Sequence, residues 1–178
     1  GLALAAFAVG PADAARKSGL TGAAFLKVGV GARAAGLGSA YTTATGDATQ
    51  MFWNPAGITL DRGMQATINH NQWIADLDHL ALGVTRKFGD FGTIGIGVVS
   101  LGVSGIASDR DVVPDFIQGF TPFDTNTGSY DYQDLAVGIS WARDVTNKLS
   151  MGLTGKLISQ SIDDESATAY ALDLGAIY

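Results

Sequence analysis

The sequence predicts an all-β fold, an antiparallel up-and-down transmembrane β-barrel, truncated with about six strands present, behind an N-terminal hatch or plug segment. Three observations carry that expectation. From residue 61 onward, apolar residues alternate with small or polar ones at a period of two, the mark of strands with two different faces. The alternating segments run for about ten residues, the length a tilted strand needs to cross a hydrocarbon layer, whereas soluble strands average roughly five or six. Glycine supplies 24 of the 178 residues, well above the usual ~7%, and is dispersed rather than gathered into a linker or repeat. Such a fold needs many positions without a side chain.

The chain divides into residues 1–14, 15–60 and 61–178. In the first part Leu2 to Val9 form an apolar stretch, and Pro11-Ala12-Asp13-Ala14 supplies the small residues that a signal peptidase accepts, so a secretory signal remnant cleaved after Ala14 is expected. A short buried helix is the alternative, but the run is alanine-rich and Arg16-Lys17-Ser18-Gly19 would not continue it. Neither a basic leader nor an initiating Met precedes Gly1, so the natural start is expected further upstream. No stretch reaches the roughly 20 apolar residues of a membrane-spanning helix. The net charge of −6 offers no basic patch for nucleic acid or for an anionic inner leaflet. Cysteine is absent, which excludes disulfides, thiolate metal sites and cysteine nucleophiles.

Six segments form the predicted barrel. The first is Met64 to Trp73. The second, Asp78 to Phe88, sets Leu80, Leu82, Val84 and Phe88 against Ala81, Gly83, Thr85 and Lys87. The third, Gly92 to Gly102, sets Ile94, Ile96 and Val98 against Thr93, Gly95 and Gly97; the fourth, Asp134 to Arg143, sets Leu135, Val137, Ile139 and Trp141 against Ala136, Gly138, Ser140 and Ala142. The fifth, Lys148 to Gln160, and the sixth, Ala169 to Tyr178, repeat the pattern through Leu149, Met151, Leu153 and Leu157, then Tyr170, Leu172, Leu174 and Tyr178. Alternation alone also fits a soluble sandwich. Segment length, small residues on the polar faces, and aromatics near segment ends (Trp73, Phe88, Tyr132, Trp141, Tyr170, Tyr178) favour the membrane. So do the connections: those through Gly89-Asp90-Phe91 and Asp144 to Asn147 are short, while Val103 to Gln133 and Ser161 to Thr168 are longer and fall on one side. Six strands cannot close a barrel whose smallest bacterial version has about eight, so the chain is expected to continue past Tyr178, in preference to completion by other copies.

Residues 25–60 lack the two-residue period and are dense in Gly29, Gly31, Gly36, Gly38, Ala32, Ala34, Ala35 and Ala40. Trp53-Asn54-Pro55-Ala56-Gly57 reads as a rigid corner, with proline fixing one torsion and asparagine able to cap its own turn. The run from Phe25 to Tyr41, Asp47-Ala48, and this corner resemble the opening of PorV/PorQ-type outer-membrane proteins, a branch of the FadL-like barrels. The resemblance continues in His70 to Asp76, Asp134 to Gly138, Ser161 to Asp164 and Asp173 to Tyr178. It implies a barrel of about fourteen strands, beyond the minimum of eight, whose N-terminal segment folds inward as a hatch, with Asn54, Pro55, Ala56 and Gly57 as the hatch motif.

Other constellations carry less. Gly29-Val30-Gly31-Ala32-Arg33-Ala34 satisfies an alanine-ended dinucleotide fingerprint, but no strand–helix–strand unit surrounds it. His70 and His79 flank Asp76 and Asp78 without a third strong ligand spaced to join them, so no metal site is expected. Asp109-Arg110-Asp111 and Asp163-Asp164-Glu165 do not fit a calcium loop of the EF-hand kind. No nucleophile, base and orienting group assemble, so neither catalysis nor a cofactor is expected. The longest connection holds Val113, Phe116, Ile117, Phe120 and Phe123, an apolar cluster that either binds partners or packs into the barrel mouth.

The PorV/PorQ resemblance implies an outer-membrane barrel that assists protein export or surface attachment by a type IX-like secretion system, binding its subunits or exported cargo through external loops. The wider FadL relation implies passive uptake of a hydrophobic small molecule past a shifting plug, and a purely structural outer-membrane protein is the third reading. All three place the chain in the lipid bilayer of the bacterial outer membrane.

Overall fold

A computed structural model describes residues 22–44, 46–107, 129–163 and 165–178. Six antiparallel strands follow one another in a single sheet, in the order of the chain: β1 (Met64–Gln72), β2 (Asp78–Lys87), β3 (Thr93–Ala107), β4 (Ser129–Thr146), β5 (Leu149–Ile162) and β6 (Glu165–Ile177). The sheet is open, with β1 and β6 at its edges. Ahead of it the N-terminal segment forms one turn of α-helix, α1 (Ala32–Gly36), and 3-10 turns at Ala24–Lys27, Ala48–Phe52 and Pro55–Leu60.

Strand pairing aligns residues into rows that cross the sheet. One row runs Ala66, Val84, Ile96, Ile139, Gly155, Leu172; the next on the same face runs Ile68, Leu82, Val98, Val137, Leu157, Tyr170. Between them, on the opposite face, lies Thr67, Gly83, Gly97, Gly138, Lys156, Ala171. The aliphatic face is bare: Ile96, Ile139, Leu172 and Leu174 are 55%, 61%, 67% and 78% exposed. The small-residue face is covered by the N-terminal segment, and the core lies between the two, where Phe25 and Val30 meet Ala81, Val99, Leu101, Ala136 and Ile158. A second cluster joins Met51 and Ile58 to Ala142. The sheet is thus inverted relative to a soluble protein, which buries its large aliphatic face.

The strands outrun the predicted segments, and this corrects the expected alternation of loop lengths. β5 ends at Ile162 and β6 begins at Glu165, paired with it, so the anticipated longer connection from Ser161 to Thr168 is not present. The physical reason is that Ser159, Gln160, Ser161, Ser166, Ala167 and Thr168 have no contrast between faces, yet their main chains keep pairing. Among the connections, residues 108–128 join β3 to β4; Val113, Phe116, Ile117, Phe120 and Phe123 lie there, outside the described residues, as do residues 1–14. One aromatic is also corrected: Tyr132 shares the parity of Asp134 and points to the covered face, where its hydroxyl donates to Asp134 Oδ2 at 2.5 Å.

The two ends of the sheet differ in charge. Where β2 meets β3 and β4 meets β5, the chain presents Arg62, Arg86, Lys87, Arg143 and Lys148 beside Asp90 and Asp144. At the opposite end stand Asp76, Asp78, Asp131, Asp163 and Glu165, and among the described residues the strands there carry no lysine or arginine.

Candidate functional site

The centre of the covered face is a seat for the corner at Asn54. Asn54 is extended (φ −149°), and its Oδ1 accepts the Ala56 amide at 3.1 Å, which starts the turn that Pro55 is preset to enter. The turn is then held by Thr59 Oγ1 donating to Ala56 O at 3.0 Å. The other half of the Asn54 amide ties the corner outward: Nδ2 donates to Thr42 O (3.1 Å) and to Ala176 O of β6 (3.3 Å).

Glycine on the strands makes this approach sterically feasible. A Cβ on Gly152 of β5 would collide with the Pro55 carbonyl and the Ala56 nitrogen, and one on Gly175 of β6 would collide with Asn54 Oδ1 and the Pro55 ring. Gly152 and Gly175 are direct partners in the β5–β6 ladder, so they form one depression. A second depression holds Met51 and Phe52: a Cβ on Gly97 would stand 2.8 Å from Met51 Cε and 2.9 Å from Phe52 Cε1, and one on its partner Gly83 would stand 2.8 Å from Met51 Sδ.

The glycine-rich opening locks onto the corner from above. Trp53 Nε1 donates to Val30 O at 2.9 Å while its ring lies over Gly29 and meets Tyr41 edge-on at 5.9 Å. Tyr41 is buried, donates to Asp47 Oδ2 at 2.5 Å, and has the Arg33 guanidinium 5.8 Å over its ring; Arg33 pairs with Asp47 at 3.5 Å. Burial first, then the Asp47 carboxylate, raises the Tyr41 phenol above its ordinary range and keeps it a donor. Gln50, also buried, holds Tyr41 O through Nε2 at 3.0 Å. The fingerprint-like Gly29 to Ala34 thus serves packing: Gly31, at φ 99°, opens a five-residue helix inside an antiparallel fold, which provides no dinucleotide-binding unit.

Between the segment and the sheet lies a cavity of about 100 Å³, lined by Leu26, Phe52 and Trp53 above and by Gly97, Val99, Gly138 and Ser140 below. Lys156 borders it and pairs with Asp173 at 2.5 Å. The two histidines fall on opposite faces: His70 pairs with Asp78 at 3.3 Å on the exposed side, and His79 is buried on the covered side. Among the described residues, no three potential metal ligands converge.

Two contacts were missed in the sequence. Asp61, just past the corner, is buried, accepts the Thr85 hydroxyl at 2.6 Å through Oδ2 and leaves Oδ1 unpartnered. At the other end, Asp134 Oδ2 takes Gln160 Nε2 at 3.0 Å, which turns Gln160 Oε1 toward the Ala23 amide at 2.9 Å. Isolated acids on the small-residue parity, at 134 and 173, were the available signal for such contacts.

Comparison of the chain with protein-family models, with curated proteins and with solved structures finds no match.

Proposed function

We propose that this chain forms the leading wall and the hatch of an outer-membrane β-barrel, closed to further strands through the edges of β1 and β6, which assists protein export or surface attachment in the manner of PorV/PorQ-type proteins. The observation that carries the membrane part is the inverted sheet. In water, leaving a single Leu, Ile or Val exposed forgoes about 1.5–3 kcal/mol relative to burial, and here whole rows are bare. Lipid tails remove that penalty. On β2 the open face is apolar from Leu80 to Phe88 apart from Arg86, which at ~3.4 Å per residue spans roughly 27 Å. A tilt of about 40° brings this to roughly 21 Å, close to the ~25 Å apolar band of such barrels. Arg86, one row from the end, can carry its guanidinium out to the headgroups, where it already lies 5.2 Å over the Phe88 ring.

The choice of export over uptake is supported by the seat at Gly152 and Gly175. A plug whose main chain rests on main chain, tied by Asn54 to β6, suits a shut barrel that works through its outer surface. The partners are then secretion-system subunits or exported cargo, met by the connection that holds Phe116 and Phe120. A photo-cross-linking residue at Phe120, in cells, is expected to capture secreted proteins; capture of none, together with entry of a hydrophobic dye into intact cells that depends on the chain, overturns the export role.

That dye outcome is the second reading, favoured by the cavity between Trp53 and the wall. Its signature is dye binding that quenches Trp53 and is lost when Gly138→Phe fills the space.

A further inference from the structure

The basic end of the sheet offers more than orientation. Lys87 pairs with Asp144, Arg33 with Asp47 and Lys156 with Asp173, but among the described residues Arg86, Arg143 and Lys148 have no ion pair. Arg86 and Arg143 project from the open face just where its apolar belt ends, and Lys148 sits in the adjoining β4–β5 turn. Aromatic rings mark the same level: Trp141 donates through Nε1 to Phe91 O at 3.1 Å, and the two rings lie 6.2 Å apart. Immediately beside them is a groove of about 500 Å³ whose lining runs from Arg143, Asp144 and Trp141 down to Met151, Leu153 and Leu174; the Asp144 carboxylate is itself engaged by Ser150 Oγ at 2.6 Å and by Lys87. Cations at the lip and aliphatics along the floor are the two halves of one amphiphile.

We infer that this rim is a binding site for an anionic phospholipid, with the headgroup phosphate held by Arg143 and Lys148, an acyl chain lying in the groove of Trp141, Met151, Leu153 and Leu174, and Arg86, two strands away in the Trp141 row, adding positive charge at the same level. It rests on the membrane reading above and adds the lipid class and the leaflet: the one that meets the short β2–β3 and β4–β5 connections. Two arguments favour a lipid phosphate. The cations are unpaired although the chain as a whole is acidic, and their neighbours Phe88, Phe91 and Trp141 are the residue types that settle at headgroup level. At the opposite rim the described charged residues of the strands are acids and His70, with no lysine or arginine.

The test uses the protein with the further strands that complete its barrel, in phosphatidylcholine vesicles with a trace of spin-labelled phosphatidylglycerol or spin-labelled phosphatidylcholine, and reads the fraction of each label immobilised at the protein surface. A preference of about fivefold for phosphatidylglycerol is expected, the factor that one cation near a charged headgroup carries, falling to near parity in the Arg86→Gln/Arg143→Gln/Lys148→Gln variant. Equal immobilisation of the two lipids by the inserted wild-type chain overturns the inference and leaves the membrane reading intact, as does a preference that survives in the triple variant. Failure of the wild-type chain to insert, seen as complete digestion by added protease, overturns both.

Discussion

The open and covered faces of this sheet share every backbone hydrogen bond and differ only in which parity of residue they receive. On the open face, Val84, Ile96 and Ile139 stand in a row with none of the described chain against them. On the covered face one row along, Gly83, Gly97 and Gly138 lie beneath Met51, Phe52 and the cavity. The difference teaches that size matters in opposite senses: the open face needs bulk and greasiness of no particular shape, whereas the covered face is shaped to the main chain of another segment. Substitutions on the two faces should therefore obey different rules.

The largest effect is expected from Gly152→Val. The new side chain would meet main chain at Pro55 and Ala56, which cannot move without also breaking the Asn54 bonds to Thr42 and Ala176. The cost should exceed about 4 kcal/mol, the exceptional class of overpacking that has no relaxing partner. Limited proteolysis of the chain in lipid checks it: cleavage within residues 40–60 should appear in the variant while the strands stay protected. If the segment stays protected, the seat is not a steric one and the contrast between the faces fails.

A pair of substitutions at one open-face position comes next. Ile139→Arg puts a charge mid-belt and should cost roughly 2–4 kcal/mol in a bilayer, whereas Ile139→Leu should stay within about 0.5 kcal/mol because no partner constrains its shape. Urea unfolding in vesicles, followed by tryptophan fluorescence, separates the two. Equal stability of both variants would mean that the open face meets water.

Asn54→Ala probes the covered face without adding bulk. It removes a turn cap worth about 0.5–2 kcal/mol and the part-buried bonds from Nδ2 to the Thr42 and Ala176 carbonyls, which water can replace, so about 1–2 kcal/mol is expected in the same unfolding measurement. Asn54→Asp keeps the cap at Ala56 but cannot donate to either carbonyl, and should recover only part of the loss.

Much of this contrast was legible before folding. The parity of Leu135 to Ala142 distributes residues to the two faces as observed, and Asn54-Pro55 announced a capped corner. The seat was not legible, because Gly152 and Gly175 lie about a hundred or more residues from Pro55 and a small residue in a strand looks the same whether or not anything presses on it. Strand ends were lost where both faces turn polar, as at Ser159 to Ser161. The inward turn of Tyr132 was available from its parity with Asp134 and was obscured by its place near a segment end. The charged rim was hidden by net charge, since Arg86, Arg143 and Lys148 are brought to one end of the sheet only through strand pairing.

The smallest expected effect concerns Asp61, the one buried acid of the segment joining the two faces. Its proton is held more tightly than an ordinary carboxylate's, first because burial penalises the charge and also because Asp47 repels it; the Thr85 hydroxyl and Lys87 pull the other way. The folded state therefore binds the proton more strongly than the unfolded chain does. Stability from this group is complete below the ordinary carboxylate range and declines as pH rises through the elevated folded value. Asp61→Asn keeps a side-chain oxygen for Thr85 and has nothing to titrate at this position, so the unfolding midpoint of the wild-type chain relative to that of the variant should fall from about pH 4 to about pH 7. A difference between the two midpoints that instead grows in favour of the wild-type chain as pH rises would mean that Asp61 is ionised and stabilised by Lys87, and that the covered face tolerates charge as readily as its rim does.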